Sequence, residues 1–350
     1  MTALADAHLR DALTRLAFGH ALSRAECAAA FRVLVRGGGT AAQAGALLMG
    51  LRARGEHAEE LAGAADALRA EMRRVPWPDP DALVDTCGTG GGTVGTINLS
   101  TAAAFVAAGA GIPIAKHGNR SHTSRSGSAD VLEALGISIT LEPEAAARVL
   151  ATAGIVFLFA PTYHPAMRFL APARSELGTP TIMNLLGPLV NPAGAMRQVV
   201  GVADRDRAPL IAGALAELGS RHAVVVHGAA GMDEISPDGP TLVWEVSAGT
   251  VREWRLDPAE LGLAAGDLAG LKGAEPDHNA RRLVAVLEGR GTPVESAAVL
   301  LNAAAAVYVG RTGTSLRDAV EMAREALRSG AARAALERLR VAAPRDPGAA

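Results

Sequence analysis

Residues 85–130 read DTCGTGGGTVGTINLSTAAAFVAAGAGIPIAKHGNRSHTSRSGSAD, and this stretch decides the fold. An apolar run, Ala82-Leu83-Val84, leads into it with the character of a buried strand. Gly88-Thr89-Gly90-Gly91-Gly92 follows as a turn. Thr96, Asn98, Ser100 and Thr101 then place hydroxyl and amide groups at the start of an alanine-rich run of helical length. A second apolar run returns to a cationic loop, Lys116-His117-Gly118-Asn119-Arg120, and to five hydroxyls between Ser121 and Ser128. Strand, glycine turn, helix and strand is the repeating unit of a parallel α/β sheet. Such sheets bind ligands at the carboxyl ends of their strands, where both loops fall. Glycines let backbone N–H groups approach an anion, and a helix N-terminus adds partial positive charge. One neutral and one cationic loop together predict a ligand with more than one phosphate.

Outward from this stretch the pattern changes on the N-terminal side. Leu9, Leu13 and Leu16 lie at helical spacing, and Ser23-Arg24-Ala25-Glu26 and Thr40-Ala41-Ala42-Gln43 fit capping boxes that open two further helices. A fourth helix is expected over 59–73, and Pro76-Trp77-Pro78-Asp79-Pro80 is a stiff linker. On the C-terminal side, strands are expected at 82–86, 112–115, 137–140, 155–159, 199–202 and 223–227, with helices between most of them. Residues 163–192 carry five prolines and break the alternation as an excursion that packs back on the N-terminal helices. Residues 241–256 read as a hairpin, and 279–287, 294–309 and 315–328 as helices. The fold class expected is α/β. A small helical domain at 1–75, joined by helices from 163–192, precedes a larger α/β domain with a mostly parallel central sheet at 80–342. A disordered tail is expected at 343–350.

The chain has 350 residues, 49% apolar but only 3% aromatic, so its core is built from Ala, Val, Leu and Ile. Lys+Arg number 34 and Asp+Glu 36, a formal net charge of −2, which argues against a nucleic-acid or membrane-surface partner. No stretch reaches eighteen apolar residues without a glycine or polar interruption, so no membrane span is expected, and MTALADAHLRDALTRL is not a signal peptide. Cys27 and Cys87 form neither a disulfide framework nor a metal spacing; Cys27 reads as a core residue and Cys87 as packing beneath the glycine loop. A reduced, cytoplasmic protein is expected.

Four groups carry the chemistry. The glycine loop is not a Walker loop, because no Lys-Ser/Thr follows at the required spacing; the hydroxyls after it, Ser100 above all, suit Mg²⁺ beside phosphates. The cluster from Lys116 to Ser128 holds more donors than a solvated loop needs, and reads as a phosphate site. Asp233-Glu234 is either a solvated turn or a pair of Mg²⁺ ligands. Arg174 stands among few other charges and is either a surface arginine or a partner for a substrate carboxylate. His164 and His227 read as structural. No Ser-His-Asp or Cys-His set is present, so no covalent intermediate and no protein nucleophile is expected.

GTGG, TINLST, KHGNRS, SGSADVLEALG, FAPTYHPAM, NLLGPLVNP, GMDEIS and VLLNAAAA occur in that order. Together they resemble the anthranilate phosphoribosyltransferases, a family with the nucleoside-phosphorylase-like architecture. The resemblance covers nearly the whole chain. It implies transfer of phosphoribosyl from phosphoribosyl pyrophosphate to anthranilate in tryptophan biosynthesis. It implies that Gly88, Gly91, Gly92, Thr96, Asn98, Leu99, Ser100, Thr101, Lys116, His117, Gly118, Asn119, Arg120, Ser121, His122, Thr123, Ser124 and Ser128 meet the donor. Ser100, Asp233 and Glu234 would hold Mg²⁺. Gly88, Asn119 and Arg174 would meet anthranilate, with His117 a neighbour of the amine. A homodimer is implied, and an amidotransferase (anthranilate synthase) subunit is a further candidate partner. Many members carry Asp after GTGG where this chain has Gly92, so the metal falls to Ser100, Asp233 and Glu234. Two rivals fit less well. Pyrimidine-nucleoside phosphorylases lack the KHGNR form and carry a further C-terminal domain. A nucleic-acid-binding paralogue would need a basic surface.

Overall fold

The N-terminal segment folds as its periodicity and caps dictate. The computed structural model describes residues 3–345, apart from residue 93 and residues 122–124. Helices α1 (Ala3–Ala17), α2 (Arg24–Val35), α3 (Ala41–Arg54) and α4 (Ala58–Glu71) form the helical part. At α2, Glu26 N–H donates to Ser23 Oγ (3.3 Å) and Ser23 N–H to Glu26 Oε2 (2.8 Å). At α3, Gln43 N–H donates to Thr40 Oγ1 (3.2 Å) and Thr40 N–H to Gln43 Oε1 (3.0 Å). Each such cap contributes about 1 kcal/mol. Cys27 is buried on α2 and its Sγ donates to Glu60 O (3.1 Å), which makes it the expected core residue.

The remainder runs β1 (Val84–Gly88), α5 (Leu99–Gly109), β2 (Ile114–Gly118), α6 (Ser128–Ala134), α7 (Pro143–Ala153), β3 (Ile155–Phe159), α8 (Ala160–Tyr163) and α9 (Ala171–Leu177). It continues with β4 (Arg197–Gly201), α10 (Ala208–Glu217), β5 (His222–His227), β6 (Thr241–Ser247), β7 (Thr250–Leu256), α11 (Pro276–Leu287), α12 (Pro293–Gly310), α13 (Leu316–Arg328) and α14 (Ala331–Ala342). The seven strands form one sheet in the order β3-β2-β1-β4-β5-β6-β7. The first five are mutually parallel, and β6 and β7 add an antiparallel hairpin. Ala248 and Gly249, both at positive φ, close that hairpin in two residues.

Alternation along the strands divides the interior into two cores. Val84, Val199, Val224, Val226 and Val243 face the core shared with α5, α12, α13 and α14. Val200, Val225, Trp244 and Val246 face α10, the N-terminal helices and the excursion, whose Ala166, Leu170, Ala173, Ile182 and Leu189 are buried in the same cluster. Helix α12 alone among the described helices has the length and apolarity to cross a bilayer, but 78% of it is buried inside the fold. It is the central core helix.

Three local expectations need correction. Residues 137–140 form no strand of the sheet, because β3 occupies the edge of β2. Ile137 instead bridges Pro344, and Ser138 N–H donates to Ala343 O (2.8 Å). Residues 343–345 are thereby tied down rather than loose, with Arg345 N–H on Gly136 O (3.0 Å); residues 346–350 lie outside the described residues. Lys116 and His117 belong to β2 and are buried, so the loop begins only after Gly118. Helices α7 and α14 were not anticipated, although Pro143 at the first turn of α7 is a start signal.

The excursion is fastened to the sheet by one buried carboxylate. Asp85, on β1, accepts from Asn191 Nδ2 (2.8 Å) and His117 N–H (3.0 Å). Asn191 Nδ2 also donates to Ala115 O (2.8 Å), and Gln198 Nε2 to Pro188 O (2.6 Å). Burial lifts the Asp85 carboxyl from 3.8 to about 6, against the pull of those donors. A raised carboxyl stabilises the fold below its unfolded value and loses that contribution as pH rises through the folded one. The stability of wild type relative to Asp85→Asn is therefore expected to fall by roughly 3 kcal/mol between about pH 3 and pH 7. Urea melts of both proteins across that range measure it; a flat difference would remove Asp85 as the titrating group.

Candidate active site

The strand ends β1, β4 and β5 each finish in or beside a glycine, and one acidic dipeptide explains all three. A Cβ on Gly201 would lie 1.6 Å from Asp233 O, and one on Gly228 2.3 Å from Glu234 O. A Cβ on Gly92 would lie 2.6 Å from Asp233 Oδ1, and one on Gly88 3.4 Å from Asp233 Oδ2. Asp233-Glu234 is thus pressed backbone-to-backbone onto the ends of the strands and side chain-to-backbone onto the glycine loop. Thr89 N–H donates to Gly201 O (2.9 Å) and locks that loop to β4. Gly92 takes the place of a side chain because the Asp233 carboxylate already fills the space.

Of the two carboxylates, Glu234 is short of a partner. Glu234 Oε1 accepts from Thr96 Oγ1 (3.0 Å), while its buried Oε2 has no hydrogen-bond partner. Burial, then the neighbouring Asp233, pushes the Glu234 carboxyl well above the usual range; burial raises Asp233 too. Ser100, Asp233 and Glu234 line one small cavity with Thr86, Cys87 and Asn302. Three oxygen donors with one carboxylate oxygen unsatisfied fit a hard divalent cation. Among the described residues no cluster of three His, Cys, Asp or Glu side chains forms a complete cage. This set therefore suits Mg²⁺, which keeps waters and substrate phosphates in its shell.

The lysine and the two hydroxyls beside this cavity are placed differently. Lys116 Nζ is buried and donates to Thr86 O and to Ser100 Oγ (3.1 Å), so it orients Ser100 from beneath. Thr101, adjacent to Ser100 on α5, is turned into the core and lines a second, apolar cavity with Phe105, Leu132 and Phe157. Adjacent helix residues project about 100° apart, which separates the two hydroxyls. Leu99 is fully buried, and its N–H donates to Ile97 O (2.6 Å).

Beyond Gly118, side chains brace the second loop from within. Ser128 Oγ donates to Asn119 O (3.2 Å), and Asn119 Oδ1 accepts from Arg120 N–H (2.8 Å). Arg120 pairs with Asp130 (2.7 Å) and Glu133 (2.5 Å) and lies over the Phe159 ring, so its charge is already matched. Asp130 accepts from Gly127 N–H (2.8 Å) and Ser121 N–H (3.4 Å). Asn98 Nδ2 donates to Ser126 O (3.1 Å), and Asn98 Oδ1 accepts from Asn279 Nδ2 (3.0 Å), tying the two loops to α11. His122, Thr123 and Ser124 lie outside the described residues.

The ring of His117 is committed as well. Its Nδ1 donates to Gly187 O (3.1 Å), and its Nε2 lies 3.2 Å from His164 Nε2. Burial depresses His117 to about 3 and His164 to about 4, so both rings are neutral. In this arrangement His117 is a structural link to the excursion and has no free nitrogen to act as a base. Arg174, on α9, is half-buried, and among the described residues its guanidinium has no hydrogen bond or ion pair. Burial lowers its pKa. An unpaired, partly desolvated guanidinium is a poised carboxylate receptor.

Sequence reasoning missed Asp85, Asn191, Gly201, Gly228, Asn279 and Asn302. Gly228 directly follows a predicted strand and Gly201 lies within one, and Asn191 and Asn302 fall in the motifs NLLGPLVNP and VLLNAAAA.

Residues 80–333 match the model of the glycosyl transferase family a/b domain, and residues 10–72 that of its helical bundle domain. The anthranilate phosphoribosyltransferase of Rubrobacter xylanophilus is 51% identical over 330 residues, 94% of this chain and 96% of that one. That of Methylobacterium nodulans is 51% identical over 327 residues, 93% and 96% of the two chains. Among solved structures, the Thermus thermophilus enzyme matches with a TM-score of 0.88 and 41% identity, covering 95% of this chain and 99% of that one. The Saccharomyces cerevisiae enzyme in complex with PRPP and Mg matches with a TM-score of 0.86 and 30% identity, covering 96% and 98%. The small N-terminal helical domain and the larger α/β domain with its mostly parallel sheet are shared with these proteins, and the chain belongs to the anthranilate phosphoribosyltransferase family.

Proposed function

We propose that the chain transfers the 5-phosphoribosyl group of phosphoribosyl pyrophosphate to the amine of anthranilate, giving N-(5-phosphoribosyl)anthranilate and pyrophosphate. The observation that carries this reading is the acidic dipeptide pressed onto a glycine loop and a helix N-terminus, with one carboxylate oxygen left unsatisfied. A diphosphate leaving group needs that combination of backbone donors and oxygen ligands. Ser100, Asp233 and Glu234 would hold Mg²⁺, which when bound neutralises the charge that develops on departing pyrophosphate. The relative solved with PRPP and Mg supports this assignment.

The remaining work falls to positioning and electrostatics. As the bond from the ribose carbon to pyrophosphate lengthens, positive charge develops on the sugar. The N–H groups around Gly88 and Gly91 and the N-terminal turn of α5 receive the phosphate oxygens. The second loop, from Gly118 to Ser128, holds the rest of the donor. Arg174 takes the anthranilate carboxylate, and Asn119 and Gly88 border its ring. The amine attacks from the face opposite pyrophosphate, so the α donor yields a β product, and the amine proton leaves to solvent. No protein nucleophile enters. On the same reading the enzyme is a cytoplasmic homodimer, which sedimentation velocity would register as twice the chain mass, and an amidotransferase subunit is its candidate partner.

Anthranilate fluorescence is expected to fall only when donor and Mg²⁺ are both present; no consumption at any metal concentration would end the reading. Arg174→Ala is expected to raise the anthranilate KM roughly 10- to 100-fold and the donor KM far less. Equal effects on both would remove its assigned role. Gly92→Ala, whose methyl would displace Asp233 Oδ1, is expected to raise the Mg²⁺ concentration for half-maximal rate with little change in melting temperature. An unchanged Mg²⁺ dependence would mean that Asp233 does not serve the metal.

A further inference from the structure

The motif VLLNAAAA places one polar residue, Asn302, in the middle of the mostly buried helix α12. Nothing in the proposed reaction uses it. A carboxamide in an apolar helix is unfavourable unless its hydrogen bonds are made, and those of Asn302 are made to the N–H and C=O of Ile235 and to the carbonyl of Ala298 one turn earlier. Its Oδ1 accepts from Ile235 N–H (3.0 Å), and its Nδ2 donates to Ile235 O (3.0 Å) and to Ala298 O (2.9 Å). Ile235 directly follows Asp233-Glu234. The same side chain lines the cavity whose other wall is Ser100, Asp233 and Glu234.

Within the segment that carries the dipeptide, several bonds are local, while Thr96 reaches Glu234 and Ala265 N–H donates to Pro237 O (2.9 Å) from outside it. Gly228 N–H donates to Met232 O (2.9 Å), Ser236 N–H to Thr241 Oγ1 (3.0 Å), and Ser236 Oγ to Asp238 O (3.2 Å). Ala230 within it is held at φ 60, in the left-handed region that alanine disfavours. A strained turn followed by two buried carboxylates needs a fixed point. Asn302 supplies one from a rigid helix, with both a donor and an acceptor directed at the backbone.

We propose that Asn302 is a positioning residue for the Asp233-Glu234 pair, clamping the Ile235 peptide so that both carboxylates face Ser100 in a shape ready for a divalent cation. The inference rests on the cation reading given above. Its effect belongs to the pyrophosphate half of the site and leaves the acceptor half untouched. Loss of a side chain that orients metal ligands without touching the metal typically weakens binding 10- to 100-fold.

The test is a Mn²⁺ titration of the full chain without substrates, with free Mn²⁺ read by electron paramagnetic resonance. Wild type, Asn302→Leu, Asn302→Ser and Glu234→Gln are compared, alongside melting temperature and the two KM values. Glu234→Gln is expected to abolish the tight Mn²⁺ sites. Asn302→Leu is expected to weaken them by about 10- to 100-fold, with the anthranilate KM within about twofold of wild type and faster amide exchange at Ile235. If Asn302→Leu does not fold, Asn302→Ser, which retains polarity and leaves room for a water, is judged by the same numbers. A folded variant with wild-type Mn²⁺ affinity, however much its melting temperature falls, would overturn the proposal while leaving the cation reading intact. Equal Mn²⁺ binding by wild type and Glu234→Gln would overturn both.

Discussion

The structure depends on one close approach: an acidic dipeptide lying directly against the ends of three parallel strands. Two of its carbonyl oxygens sit where the Cβ atoms of Gly201 and Gly228 would be, and one carboxylate oxygen sits where that of Gly92 would be. Backbone contact of this kind fixes the height of the carboxylates above the sheet to within a fraction of an ångström. Side chains alone would leave several rotamers open. The cost is two carboxyl groups in a poorly solvated place, one oxygen of which has no partner. Such a site is unfavourable empty and favourable when a cation fills it, which is the condition for binding charged substrate by its phosphates.

The rest of the fold can be understood as support for that contact. Strands β4, β5 and β6 contribute alternate side chains to two separate cores, so the sheet is held from both faces there. The parallel order places β1, β4 and β5 side by side, which brings the glycine loop, Gly201 and Gly228 to one edge. Asp85 and Asn191 then fasten the excursion to β1 and β2, and His117 with Gly187 O fastens it again at the rim. Arg174 rides on that fastened excursion. The excursion that carries Arg174 and the glycine loop are therefore joined through β1 and β2.

Much of this was legible in the sequence, and the parts that were not share a cause. Caps at Ser23 and Thr40 and the strand-glycine-helix unit were readable because they act over a few residues. Lys116 and His117 misled because their charge was read as part of a phosphate-binding loop, whereas both lie in β2, where Thr86 O and Ser100 Oγ satisfy the buried ammonium. Thr101 misled because it adjoins Ser100 in sequence but faces another direction on the helix. The partners of Asp85, Thr96 and Asn98 lie 106, 138 and 181 residues away, at Asn191, Glu234 and Asn279. Only the topology brings them together. The reaction was readable through the motifs, while the devices that aim them came from the fold.

The central claim is that the orphaned carboxylate oxygen and its two neighbours form a cation site on the pyrophosphate side. Crystals grown with Mn²⁺ and pyrophosphate, measured at the manganese absorption edge, address it directly. The account predicts an anomalous peak between Ser100 Oγ and the Asp233 and Glu234 carboxylates, bridged to a pyrophosphate oxygen. A peak elsewhere, with Glu234 still bonded to Thr96 and no metal at the dipeptide, would contradict it.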